Sequence, residues 1–169
     1  MSDRFSRDNA FGTILLDWWQ SLQDDRASKA ILRRASTITA STLSAPYQRL
    51  FRRFKAAGWN MKGVPWRDDR LAAIVALLAH VNADLPGALA QAMSRKSNEE
   101  DRPKVSELRF TRLLESNDID TLFLGLRRIL PLLENQIDII ALANDVLYWG
   151  DKVKKEWAYL YDWPSREKI

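Results

Sequence analysis

An all-α fold, a compact single-domain multi-helix bundle, is what three features of this 169-residue sequence predict. Six Gly and six Pro leave long stretches free of backbone breakers, which suits helices and argues against a turn-rich β sandwich. Apolar residues recur at three- and four-residue steps along most of the chain, the period of a helix with one buried face. Hydrophobic residues at 46% and charged residues at 28% are ordinary globular composition, and a chain of this length closes a core without disulfides or metal. No internal repeat or Ser/Gly linker divides it, so one domain is expected over residues 1–169, with residues 1–10 frayed.

The elements follow in order. Ile14, Leu15, Trp18, Trp19 and Leu22 share one face of a helix from Phe11 to Leu22. Asp24 and Asp25 stand where a cap and a first-turn acid belong, before a second helix through Ala30, Ile31 and Arg34. From Leu43 to Ala57, Tyr47, Leu50, Phe51 and Phe54 cluster on one side and Arg49, Arg52 and Arg53 on the other, and Gly58 ends the helix. Pro65, Trp66 and the acids Asp68 and Asp69 start a helix whose stretch from Leu71 to Val81 is apolar nearly all round, as a central buried helix would be. His80 closes it, in the role of a structural hydrogen-bonder or a C-terminal cation.

A short helix is expected from Pro86 to Met93, then an exposed loop from Arg95 to Lys104. Helix resumes from Ser106 to Ser116, with Phe110, Leu113 and Leu114 opposite Arg109 and Arg112. Asp118 caps a long helix whose stripe runs from Ile119 to Leu133, with Arg127 at its flank, Arg128 behind it, and Pro131 kinking its last turn. Two further helices, Ile137 to Trp149 and Lys152 to Tyr161, are separated by Gly150 and Asp151.

Chemistry is sparse. With no Cys, disulfides, thiol nucleophiles and Cys-based metal centres are excluded, and a single His leaves the common general base almost unrepresented. The carboxylate pairs Asp24/Asp25, Asp68/Asp69, Glu99/Glu100 and Asp118/Asp120 sit at predicted helix starts or in a loop, where capping and solvation account for them. No phosphate loop, dinucleotide fingerprint or nucleophile elbow occurs. The residues point to no catalytic centre, no metal ligands and no cofactor. The longest apolar run, Leu71 to Ala79, is too short to span a bilayer and no signal core precedes it, so a cytoplasmic chain without membrane contact is expected.

The charge, by contrast, is strongly patterned. Net charge is only +4, yet between Asp25 and Asp68 there is no acidic residue, and ten of the 26 basic side chains fall there: Arg26, Lys29, Arg33, Arg34, Arg49, Arg52, Arg53, Lys55, Lys62 and Arg67. Such polarity points to a polyanion. The candidate nucleic-acid-binding residues are Arg33, Arg34, Arg49, Arg52, Arg53, Arg109, Arg112, Arg127 and Arg128, because a guanidinium fork matches two phosphate oxygens and stays charged. Of the seven Trp, Trp18, Trp149 and Trp157 read as core; Trp59 and Trp66 lie in the basic block and are left open between packing and base stacking.

Four segments together resemble the CasB family, the small subunit of the type I-E CRISPR surveillance complex Cascade. They are Tyr47 to Leu50 with Gly58-Trp59, Ser106 to Leu114, Leu126 to Leu133, and Ile137-Asp138 with Leu147 to Trp149. The resemblance runs from the Trp18-Trp19 helix to the Trp157 helix. It implies a helical bundle without enzymatic activity, present as two copies, so that a second copy of the chain is a partner. CRISPR RNA, the target and non-target DNA strands, the backbone subunits and the large subunit are the other partners it implies. Carried over to this chain, the family's basic positions fall on Arg33, Arg34, Arg49, Arg109, Arg112, Arg127 and Arg128. The acids of the Arg95 to Lys104 loop depart from the family and weaken any strand contact by Lys96 or Arg102.

Two other readings stand beside this one. A helix-turn-helix regulator would read duplex DNA through Arg49, Arg52 and Arg53, and a metal-dependent nuclease would use Asp118 and Asp120.

Overall fold

The computed structural model describes residues 4–59, 65–97 and 101–165. Lys62, Glu99 and Glu100 lie outside them, and with them the expectations placed on those residues. The described chain is predominantly α-helical, with two strands of two residues each. Helices α1 (Ala10–Leu22), α2 (Arg26–Arg34), α3 (Ile38–Thr42), α4 (Ala45–Ala56) and α5 (Pro65–Leu78) lead to β1 (Ala83–Asp84) and α6 (Leu89–Ser94). Then come α7 (Glu107–Leu114), α8 (Ile119–Ile129) with a 3-10 turn over Leu130–Leu133, β2 (Gln136–Ile137), α9 (Ile139–Leu147) and α10 (Asp151–Leu160).

Polar side chains start most helices, each accepting a hydrogen bond from a first-turn N–H: Asn9 for α1, Asp25 for α2, Thr37 for α3, Ser44 for α4, Ser106 for α7, Asp118 for α8 and Asp138 for α9. Capping therefore accounts for Asp25 and Asp118. Leu71 to Ala79 on and just beyond α5 are all buried, because α5 runs through the middle of the bundle and packs on α2, α3, α8 and α9. Trp18, Trp149 and Trp157 are core residues as expected.

Residues 4–9 do not fray. Phe5 is 1% exposed; its N–H donates to Asn144 Oδ1 at 2.8 Å and its carbonyl accepts from Asn144 Nδ2 at 2.9 Å. Arg7 then forks onto Asp84 at 2.6 and 3.0 Å and reaches Asp138 at 3.2 Å. Gly12 makes room for this segment, since a Cβ there would strike the Ser6 carbonyl. Composition reads this stretch as polar and loose, whereas the hydrogen-bond partners of Phe5 and Arg7 are more than seventy residues away in sequence.

Several boundaries differ from expectation. The stripe from Ile119 to Leu133 is helical only to Ile129; Pro131 lacks the N–H that an α turn needs, so the chain tightens into the 3-10 turn. Glu134 and Asn135 both take left-handed backbone, turning the chain into β2, whose pairing with β1 is parallel with Ala83 opposite Gln136. Short α3 falls between the helices expected through Arg34 and from Leu43, where the sequence pattern placed no element. The Arg95 to Lys104 loop is pinned at its base, where Lys104 N–H donates to Arg95 O at 2.8 Å and Ser97 N–H to Arg102 O at 2.9 Å.

Candidate nucleic-acid interface

The nine arginines sit on four helices. Arg33 and Arg34 end α2, Arg49, Arg52 and Arg53 lie on the outer side of α4, Arg109 and Arg112 on α7, and Arg127 and Arg128 in the last turn of α8. Their helices bury the opposite faces: Leu32 on α2, Tyr47, Leu50 and Phe54 on α4, Phe110 and Leu113 on α7, and Leu122, Phe123, Leu126 and Ile129 on α8. Eight of the nine side chains are exposed and Arg127 is half-buried. Among the described residues none of the nine forms an ion pair with a carboxylate. That matters because an arginine already holding a carboxylate must give it up to hold a phosphate.

The structure groups seven of them in three places. Arg127 donates from Nη2 to the Arg33 carbonyl at 3.1 Å, which brings the end of α8 against the end of α2. Both cations act on His80: burial, then Arg127 and Arg33, push its imidazole down to about 4, so at neutral pH it carries no charge. The sequence reading of His80 as a C-terminal cation is thereby corrected. One residue along α8, Arg128 faces α7 and joins Arg109 and Arg112 around an open groove of about 410 Å³. Buried Leu113 and Ile129 line the groove with Leu124, Gly125 and Leu132, and Ser116 and Thr121 add two hydroxyl residues to its lining. Gly125 permits the close approach of the helices, because a Cβ there would lie 2.7 Å from Leu113 Cδ2. No carboxylate lines this groove.

Arg49 and Arg53 line a smaller cleft of about 140 Å³ between α1, α2 and α4 that also holds Asp25. The Asp25 carboxyl sits below its ordinary range, mainly through the Ser28 hydrogen bonds and in lesser part through Arg49. Arg34 donates from Nε to the Ala30 carbonyl of its own helix at 3.2 Å. Arg67, one of the ten basic residues counted in the sequence, is buried with its guanidinium 4.7 Å from the centre of the Trp59 ring, and so adds nothing to the exposed charge.

The Trp59 question resolves to packing. Trp59 is 2% exposed, makes ring contacts with Phe5, Phe11 and Phe54, and donates from Nε1 to Asp68 Oδ1 at 2.9 Å. Trp66 is exposed, with the Arg70 guanidinium 5.0 Å from its ring centre; Arg70 also donates to the Leu147 and Trp149 carbonyls at the end of α9. Lys96 in the following loop is tied to Asp101 at 2.8 Å. Among the described residues no three His, Asp or Glu side chains converge as metal ligands would, and no helix is long and apolar enough to cross a membrane.

Sequence reasoning did not find the groove wall. Its one legible signal was Gly125 inside a strong helical pattern, since an interior helix glycine costs stability and often marks close packing.

The profile of the family described as CRISPR-associated protein Cse2 matches residues 28–161. The chain belongs to the CRISPR-associated Cse2 family. This is the family that the sequence resembles under the name CasB. Among solved structures, a chain of the E. coli Cascade bound to a PAM-containing double-stranded DNA target with a 32-nucleotide spacer has a similar fold. Its TM-score is 0.64 at 22% identity, covering 87% of this chain and 91% of that one. No curated protein matches. The Cse2 profile takes in every helix from α3 to α10 entire, and all nine candidate arginines fall within it.

Proposed function

We propose that this Cse2-family chain works as a non-catalytic, single-domain subunit of a type I-E Cascade complex that grips nucleic-acid backbone without reading sequence. Its partners are then the CRISPR RNA, the target strand, the displaced non-target strand, the backbone and large subunits and a second copy of the chain, in the cytoplasm. The observation that carries this reading is the set of nine arginines on α2, α4, α7 and α8, none of them tied to a carboxylate among the described residues. Guanidiniums on helices that need not first give up a carboxylate meet phosphates at little cost.

The energetic logic is that of an almost balanced exchange. Replacing a DNA duplex with a guide-target duplex changes stability little, so a few backbone contacts to either strand tip the result. Phosphate contacts supply affinity and position but carry no base information.

The test is titration of the full chain with single-stranded and duplex oligonucleotides of unrelated sequence over a range of salt. Affinity is expected to fall linearly with log salt and to be indifferent to sequence. Arg109→Glu with Arg112→Glu should weaken binding and flatten the single-strand salt slope by about 1.4, the loss of two phosphate contacts. Unchanged affinity and slope in that folded variant, or a footprint confined to one duplex sequence, refutes the proposal.

A further inference from the structure

The groove between α7 and α8 differs from the rest of the arginine surface. A phosphate track needs only a row of cations, and exposed arginines on a convex helix face supply one. Here Arg109, Arg112 and Arg128 instead surround a concave, mainly apolar space of about 410 Å³, within the range of small-ligand sites, roughly 300–1,000 Å³. Leu124 on its wall is 39% exposed, an apolar surface left open to water beside three charges. The cleft at Arg49 and Arg53 offers no equivalent, being about a third the size and containing Asp25, which repels phosphate.

An occupant that satisfies both parts carries negative charge next to a flat apolar face. A duplex does not, because its phosphates are outside and its bases are stacked within. A single strand does, since any of its nucleotides can turn its base out of the stack. Besides the arginines, the groove's polar lining is the two hydroxyl residues Ser116 and Thr121; a hydroxyl both donates and accepts and so meets any base edge, in keeping with sequence-independent binding. Resting on the nucleic-acid reading of these arginines, we propose that the α7–α8 groove is a base subsite. It takes one unstacked nucleotide of a single strand against Leu113, Leu124 and Ile129, while Arg109, Arg112 and Arg128 hold the flanking phosphates. This face therefore prefers single strand to duplex.

The probes are a thymidine oligomer, an abasic oligomer with the same number of phosphates, and a duplex, each titrated against the full chain at one salt concentration. Burying one base face should make the thymidine oligomer bind roughly tenfold tighter than the abasic one. Leu124→Asn changes a partly exposed side chain, and circular dichroism checks its fold. It should remove most of that advantage while leaving abasic and duplex binding unchanged. Arg109→Ala with Arg112→Ala should weaken both single strands. Equal affinity for the two oligomers, with both weakened by the arginine variant, overturns the base subsite alone. So does thymidine binding that Leu124→Asn leaves untouched, the result expected if a protein neighbour covers the wall. Arginine variants that weaken neither oligomer remove the underlying reading and this subsite together.

Discussion

The Arg127 guanidinium donates to the backbone carbonyl of Arg33 across 94 residues of sequence, at 3.1 Å. A cation at the C-terminal end of α2 satisfies a carbonyl that the helix leaves open and meets the negative end of its dipole. Arg127 therefore holds α8 to α2, while Arg128, one position on, is exposed and faces the groove.

The two neighbours should separate in experiment. Arg127→Ala is expected to lower unfolding free energy by about 1 kcal/mol. Arg128→Ala should leave it within about 0.5 kcal/mol and weaken oligonucleotide binding. Urea denaturation and titration on the same preparations measure both. Equal stability loss in the two variants would contradict the division of roles.

The N-terminal latch should behave as one unit. Asn144→Ala strips both hydrogen bonds from the buried Phe5 backbone, at a cost of about 2–4 kcal/mol. Gly12→Ala drives a Cβ into the Ser6 carbonyl and should cost about 2 kcal/mol or more. Because either change frees the same segment, the double variant should be clearly less destabilised than the sum. Trp59 emission should shift in each, since Phe5 lies 6.1 Å from its ring.

Stability should depend on Asp145. Burial pushes its carboxyl up to about 6, against the opposing hydrogen bond from Trp157 Nε1 at 2.9 Å. Between the ordinary value of 3.8 and about 6, the folded chain keeps a proton that the unfolded chain has lost. The contribution is therefore full at low pH and disappears as pH rises through about 6. Asp145→Asn keeps an acceptor for Trp157 and stays neutral. It should stabilise the protein by about 1–2 kcal/mol at mildly alkaline pH and have little effect in acid. Denaturation curves across this pH range check the sign.

His80 should contribute in the opposite sense. Its folded-state value near 4 lies below the ordinary 6.5, so the unfolded chain takes up a proton first as pH falls. Its contribution is present above 6.5 and is lost through about 4. Proton NMR of the imidazole should give a midpoint near 4. Arg127→Gln should raise it only part of the way to 6.5, because burial is the larger cause and Arg127 the smaller.

Most of the helices were legible because each carries its own evidence within a few residues. Tyr47, Leu50 and Phe54 lie on one side of α4 whatever surrounds it, and Asp118 caps α8 through a bond to a residue three positions on. The strands were not legible, since two residues give no period to read. Nor was the shortening of α8, where an apolar stripe continues through Pro131 in a tighter turn.

The candidate site divides in the same way. Which residues are basic, that acids are missing between Asp25 and Asp68, and that Arg109 and Arg112 lie opposite Phe110 are matters of composition and local periodicity. Helix geometry turns these directly into charged faces. The fate of each cation depended on neighbours distant in the chain: Arg67 went inside against Trp59, Arg127 to the Arg33 carbonyl, and Arg128 to the groove with Arg109 and Arg112. Side-chain type and spacing act over one or two turns of helix, whereas burial, pairing and the shape of a groove arise where whole helices meet.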